Sequence, residues 1–299
     1  MLRPLMLNGV SASMVAVPQG VWPDVLAFLV ARFPAIPERV WTERLMHGLV
    51  LNAQGETLHA QSPCIGGELL YYYRQVPQEP SLPEWETVLF EDEHLLVADK
   101  PHFMPVTPAG RYVHSSLLVR LKQQTECDSL TPLHRLDRET AGVVVLCKRP
   151  QDRAAYHALF SERQVNKVYE AVSTGMPVVQ LPTVRRSRLV ADTQFFRSCE
   201  VEGAPNSETR ISVLRQLPQG ALYQLEPHTG QRHQLRIHML ALGLPIAGDQ
   251  FYPEVLRGPD EAEDYSQPLQ LLARRIVFSD PLTGELRDWS SRRVLAKAR

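Results

Sequence analysis

The amino-acid sequence predicts a protein that mixes α-helices and β-strands in two parts, and three observations carry this reading. Stretches with helical spacing of apolar residues, such as 22–33, alternate along the chain with strand-like ones, such as 167–172. The run Val143-Val144-Val145-Leu146-Cys147 is fully apolar and β-branched, as in a strand buried on both faces. Residues 77–83 hold Pro77, Pro80 and Pro83 without periodicity, which reads as a linker between residues 1–80 and residues 81–299.

Taken in order, residues 1 to about 20 carry Gly9, Pro18 and Gly20 and read as an irregular lead-in. Trp22, Val25, Leu26, Phe28, Leu29 and Phe33 have helical spacing, and Pro23 suits a first helical turn. Residues 37–47 read as a helix stopped by Gly48. Short strands follow around a turn at 52–55, and Gly66-Gly67 introduces a further strand at 68–74. Residues 87–101 read as two strands around an acidic turn, and 115–122 as a helix. Residues 151–164 have helical spacing, with Ala155, Leu159 and Phe160 inward and Arg153 and Arg163 outward. Residues 180–206 show little periodicity and read as a long surface excursion. Residues 209–217 and 220–226 read as paired strands. Residues 239–249 read as helix, glycine stop and turn. An acidic loop at 259–264, a strand at 269–278, a turn at 280–285 and a basic tail at 292–299, read as a frayed helix, complete the chain.

The bulk composition narrows the class. The 299 residues are 44% apolar and 22% charged, ordinary for a globular protein. No apolar run approaches the roughly 20 residues that span a bilayer, and no signal peptide is read at the start, so a cytoplasmic protein is expected. Cys64, Cys127, Cys147 and Cys199 are scattered without metal spacing, and reduced thiols are expected. The net charge of −1 argues against binding nucleic acid by bulk charge. The basic residues are nevertheless grouped along the sequence, at 135–153, 185–188 and 232–236.

The string Leu133-His134-Arg135-Leu136-Asp137-Arg138-Glu139-Thr140-Ala141-Gly142 stands immediately before the apolar run. A carboxylate at the entrance to a core needs a partner. Read alone, Asp137 would belong to a structural Asp–Arg pair at a turn. The string resembles the signature H-R-L-D-[RK]-x-T-[SA]-G of the RluA family of pseudouridine synthases. Two further strings, in the same order as in that family, resemble its motifs. Lys167-Val168-Tyr169-Glu170-Ala171-Val172 is similar to K-x-Y-x-A-x-V. Thr229 to His238, continued to Asp249, is similar to T-G-[RK]-x-H-Q-[IL]-R-x-H … G-x-P-I-x-G-D. Gln231 departs from the usual basic residue, and Phe103 stands where a glycine is expected after Lys100-Pro101. In residues 35–75 the order helix, G-x-V-x-x-N, hairpin, G-x-x-L resembles the small alpha-L RNA-binding module.

The resemblance implies an α+β fold: a mixed, mainly antiparallel central sheet with flanking helices and a cleft, behind a small α/β N-terminal domain. It implies isomerisation of uridine to pseudouridine in structured RNA, ribosomal RNA ahead of transfer RNA, with the base flipped out of its stack. Asp137 is the implied catalytic acid, acting ionised. Arg236 is its implied guanidinium partner, lowering its pKa. Tyr169 is the implied stacking platform for the uracil; judged alone it is a half-buried sheet aromatic. His134, Arg135, Leu136, Thr140, Arg232, His233 and Gln234 are implied in substrate binding. Arg232 and Arg236 share a helix face if a helix begins by Gly230. Arg185, Arg186 and Arg188 read equally as a solvated face or as RNA backbone contacts. No metal is expected, since His233 and His238, five apart, point apart on a helix without a third ligand nearby. No cofactor is needed for a bond exchange, RNA is the expected partner, and a monomer is the default. Two other readings stand beside this one: an inactive RNA-binding protein of the same fold, and a hydrolase using His134 and Asp137 with His233, which in a metal-dependent form would bind zinc or manganese.

Overall fold

The computed structural model describes residues 6–74, 79–193, 196–256, 258, 261 and 263–298. Along the chain run β1 (Ser13–Ala16), α1 (Val25–Arg32), α2 (Glu38–Met46), β2 (Val50–Leu51), β3 (Leu69–Tyr72), β4 (Thr87–Glu91), β5 (Leu95–Lys100) and α3 (Leu117–Thr125). Then come β6 (Thr131–Pro132), β7 (Ala141–Cys147), α4 (Arg153–Ser161), β8 (Asn166–Ser173), β9 (Thr183–Ala191) and β10 (Ser198–Val201). The last are β11 (Ser207–Gln216), β12 (Ala221–Pro227), α5 (Gln234–Ala241), β13 (Leu271–Ser279) and β14 (Leu286–Ser290). The described residues form two compact units. The first lies within 1–80 and 107–128, the second within 81–106 and 129–299. The boundary read at 80/81 leaves 107–128 with the second part, whereas in the fold they belong to the first.

The first unit holds an antiparallel sheet in the order β1-β3-β2. Val15, Phe28, Leu29, Trp41, Leu45 and Leu70 form its core. Two local expectations are corrected. Part of the lead-in is β1; Met14 is exposed and Ser13 and Ala16 are small, so no apolar alternation marks the strand. Pro23 lies outside α1, because Asp24 is the N-cap and accepts the Ala27 N–H at 2.8 Å.

The second unit is built on an 11-stranded sheet in the order β10-β9-β11-β12-β8-β13-β7-β5-β4, with β14 on β13 and β6 on β7. Only β7 and β13 pair in parallel; every other pairing is antiparallel. This is the mixed, mainly antiparallel sheet expected. All seven residues of β7 are buried, as its uninterrupted apolar run requires. Gly142 sits where β7 meets β13. Its φ is +119°, and a Cβ there would stand 2.2 Å from the Ala273 carbonyl oxygen, so only glycine fits. α5 packs Leu235 and Met239 against Ala171, Leu225 and Leu271, with Tyr169 at the edge of that cluster. Strand alternation puts Val143 and Val145 on the other face, against Tyr156 and Leu159 of α4. Tyr156 is thus the buried anchor of α4, which the Ala155–Leu159–Phe160 reading passed over.

Residues 180–206 are not an irregular excursion: they contain β9 and β10. β9 carries polar or charged residues on both faces, half-buried Thr183, Arg185 and Ser187 alternating with exposed Val184, Arg186 and Arg188. Its ladders to β10 and β11 hold it, and no apolar period announces it. α5 begins at Gln234 after His233 at φ +56°, so Arg232 precedes the helix and does not share a face with Arg236. Phe103, where the resemblance leads one to expect a glycine, has a positive φ of +66°, a conformation that glycine adopts readily. Among the described residues of the tail the expected frayed helix amounts to one 3-10 turn at Ala296–Ala298. Pro77 and Gln78 of the linker reading, and residues 259, 260 and 262 of the acidic loop, lie outside the described residues.

Candidate active site

The Asp137 loop is tied down from both sides of the residue. Upstream, the Leu133 N–H donates to the Val145 carbonyl at 2.9 Å. His134 Nε2 accepts the Val145 N–H at 3.2 Å, and its ring stacks on Phe160 at 5.1 Å. Burial, with Lys167 adding to it, pushes the His134 pKa down to about 3, so the ring is neutral and suited to accepting. Downstream, buried Lys100 donates to the carbonyls of Pro101 (2.9 Å), Met104 (2.8 Å) and Arg138 (3.2 Å). Burial is the main influence on that ammonium and lowers its pKa to about 7, against the pull of Glu139 and Asp137. Arg138 donates to Glu139 at 2.8 Å and to Glu263 at 3.1 Å. Asp137 is therefore presented by a fixed backbone.

Arg236 is the buried cation of the site, and its fork is not aimed at Asp137. Nε and Nη2 donate to the two oxygens of Asp249 at 2.8 and 2.5 Å. The guanidinium lies 5.1 Å from the Phe251 ring and 5.2 Å from the Tyr252 ring. Only Nη1 faces the acids, 3.9 Å from Asp137 Oδ2 and 3.8 Å from Glu139 Oε2. These distances are Coulombic contacts, not hydrogen bonds. Nη1 is buried and has no hydrogen-bond partner among the described residues.

The charge balance around Asp137 differs from the sequence expectation. Its side chain keeps 30% exposure. Burial is nevertheless the largest influence and pushes its pKa above the usual range; Glu139 pushes the same way. Arg236, Arg232 and Lys100 pull it down without prevailing. The expected lowering by Arg236 is thus present but outweighed by desolvation. Burial also pushes Glu139 up, but Arg138 and Arg236 hold it below the ordinary value. Burial, and then the charge of Asp137, raises the Tyr169 phenol and keeps it protonated. Asp137, Arg236 and Tyr169 therefore share one electrostatic site on the α5 side of the sheet.

The other residues named from the sequence divide. His233 Nε2 lies 3.9 Å from Asp137 Oδ2, while its Nδ1 hydrogen-bonds with the Tyr252 hydroxyl at 2.9 Å. Burial lowers the His233 pKa to about 3, with Arg236 and Arg232 adding to the shift. Arg232 is exposed, its guanidinium 5.6 Å from the Phe196 ring. Gln234 is a correction: its amide donates to the Glu208 carbonyl and Thr209 Oγ1, both at 2.9 Å. Its oxygen accepts from Thr229 Oγ1 at 2.7 Å and the Gln231 N–H at 3.0 Å. Its hydrogen-bonding capacity is filled within the protein, so it braces α5 and has nothing left for a substrate. Leu136 and Thr140 are buried and Arg135 is exposed. Arg185 pairs with Glu200 at 2.5 Å and Arg186 with Glu208 at 2.7 Å, and Arg188 is exposed. Asp249, Glu139 and Lys100 were not assigned roles from the sequence. Asp249 closes the third string and Lys100 opens the Lys-Pro pair, so both stood in view. Among the described residues, no three His, Cys, Asp or Glu gather where they could hold a metal ion.

Comparison with known proteins bears on this geometry. The sequence model of the RNA pseudouridylate synthase family matches residues 94–241. The chain is 29% identical over 238 residues to an uncharacterized RNA pseudouridine synthase of Synechocystis, covering 76% of this chain and 79% of that protein. It is 33% identical over 223 residues to the dual-specificity RNA pseudouridine synthase RluA of Vibrio vulnificus, covering 70% and 83%. Among solved structures it resembles human RNA pseudouridylate synthase domain containing 4, with TM-score 0.53, 26% identity and coverage of 69% and 87%. The chain belongs to the RluA family of RNA pseudouridine synthases. It is accordingly an isomerase that converts uridine to pseudouridine in RNA. Among the described residues, no helix is long and apolar enough to cross a membrane.

Proposed function

We propose that Asp137 is the residue that acts on the ribose of a flipped uridine. The reading is carried by the convergence of the Asp137 carboxylate, the unpartnered Nη1 of Arg236 and the half-buried Tyr169 phenol. The N1–C1′ bond breaks as an ionised carboxylate either attacks C1′ or removes a ribose proton beside it, and uracil leaves as an anion. The base then turns and rejoins through C5 as the Asp137–C1′ bond breaks in the first route, or as the removed ribose proton returns in the second, and the C5 proton is lost. Tyr169 presents a flat face that keeps the freed uracil in place. Because its phenol is held protonated, it takes the C5 proton only while passing its own proton on. Arg236 Nη1 has a donor left for an oxygen on the ribose or base, and Lys100 keeps the Asp137 loop still.

The target uridine lies in a loop or bulge, where unstacking costs least. Ribosomal RNA is the first substrate to examine and transfer RNA the second, with the protein acting as a cytoplasmic monomer. His134, Arg135, Leu136, Thr140, Arg232 and His233 border the flipped nucleotide, His134 by fixing the loop. Arg185, Arg186 and Arg188 form the flank available to the RNA backbone. The test is pseudouridine mapping in RNA from cells lacking the gene, complemented with wild type or Asp137→Asn. Restoration by wild type alone is expected. Restoration by Asp137→Asn would remove Asp137 from the chemistry, and failure of wild type to form any pseudouridine would favour the inactive RNA-binding alternative.

A further inference from the structure

Glu139 stands two residues after Asp137, at a position that the signature string leaves open, and no step of the isomerisation uses it. It is 7% exposed, and its place is fixed from several sides. Its Oε1 accepts from Arg138 Nε at 3.1 Å and Nη2 at 2.8 Å. Its carbonyl accepts from His102 Nδ1 at 2.6 Å, and burial lowers the pKa of that ring to about 4, so it donates as a neutral imidazole. The preceding carbonyl, of Arg138, accepts from Lys100 at 3.2 Å. The remaining carboxylate oxygen, Oε2, lies 3.8 Å from Arg236 Nη1, which Asp137 Oδ2 approaches to 3.9 Å.

Nη1 thus stands between two acids and bonds to neither. The paired donors to Asp249 fix the plane of the guanidinium, so Nη1 has little room to move. Of the two acids Glu139 is held more firmly, its side chain 9% exposed against 30% for Asp137. Burial opposes its charge, but Arg138 and Arg236 hold it ionised. A short shift would turn either contact into a charge-assisted hydrogen bond. A carboxylate that receives such a bond is stabilised as the ion, and so is a weaker base and nucleophile.

We propose that Glu139 is a positioning residue for the isomerisation: its anchored carboxylate holds Arg236 Nη1 off Asp137, so that the acting acid meets the ribose without a hydrogen bond from the guanidinium. This rests on the reading that Asp137 acts as an ion, and it gives the second acid a task in that site. The other groups that face Asp137 are Arg232 and His233 ahead of α5, Lys100 of β5 and Tyr169 of β8. None of these changes charge between about pH 4 and 6, because His233 and Tyr169 are neutral there and the arginine and Lys100 are cationic.

The experiment titrates Asp137 in the full-length protein by carboxyl carbon-13 NMR, its resonance identified by its loss in Asp137→Asn. Glu139→Gln keeps the shape and removes the charge. The Asp137 midpoint is expected to fall by about one pH unit, since a repelling charge is lost and Nη1 closes on Asp137. In the Arg236→Gln background the same substitution is expected to lower it by about half as much or less, because no guanidinium remains to close. Equal falls in the two backgrounds would show repulsion or exposure acting alone and overturn the proposal, as would a midpoint that stays or rises. Where a glutamine variant lacks a cooperative thermal transition, Glu139→Met and Arg236→Met are judged by the same criterion. The second readout is the single-turnover rate above the acid limb, on whichever ribosomal or transfer RNA transcript the wild type modifies. Glu139→Gln is expected to be about tenfold slower with RNA affinity unchanged, and a wild-type rate would overturn the proposal. Full activity of Asp137→Asn would instead sink the catalytic reading and leave the titration shifts standing.

Discussion

Arg236 on α5 and Arg186 on β9 each donate to a carboxylate, Asp249 in the first case and Glu208 in the second. Arg236 is buried beside the rings of Phe251 and Tyr252, and its acid is buried with it. Arg186 is exposed at a strand with polar residues on both faces. In the interior, removing one partner of an ion pair leaves a desolvated charge and costs about 3–5 kcal/mol. At the surface, water and salt replace the partner. The buried pair can therefore aim a third nitrogen at Asp137, and the exposed pair cannot aim anything. The difference lies in the surroundings and not in the residue types.

Substitutions can break that contrast, beginning with the largest effect. Arg236→Lys keeps the charge but cannot serve both oxygens of Asp249 and also face Asp137. A loss of about a hundredfold in single-turnover pseudouridine formation is expected, comparable to removing one preorganised donor. Asp249→Asn retains the shape but turns an amide N–H₂ toward an Arg236 donor. It is expected to lower the rate about tenfold, with RNA affinity unchanged by titration, because the guanidinium loses its fixed direction. If Asp249→Asn is fully active, the positioning role of Asp249 fails.

Lys100 sharpens the comparison, being a buried cation that pairs with backbone carbonyls rather than a carboxylate. Its folded pKa of about 7 lies below its ordinary value. The unfolded chain therefore binds more protons across that window, so stability rises with pH from about 7 toward 10. Thermal midpoints of wild type should climb over this interval relative to Lys100→Met; parallel curves would contradict the assignment. Arg186→Gln is the smallest change, expected to leave both thermal midpoint and isomerisation rate within error of wild type.

The readable parts of the molecule were those where chemistry and burial leave a local trace. β7 announced itself because both of its faces are buried, and the Asp137 loop because its residue types and spacing are unusual. β9 did not, because neither face carries an apolar row. The Arg236–Asp249 pair was hidden for another reason. Thirteen positions separate the two residues, and only the turn after α5 brings them together. Gln234 was misread because a glutamine between two arginines of its string looks like a substrate contact until its four bonds are seen.

The pH dependence of the single-turnover rate tests most directly whether Asp137 works as an ion in a desolvated site beside Arg236. The acid limb is predicted to lie above the ordinary carboxylate value of about 4 and to move higher still in Arg236→Gln, where the attraction is gone. A wild-type limb at the ordinary value that stays in place in Arg236→Gln would contradict the account.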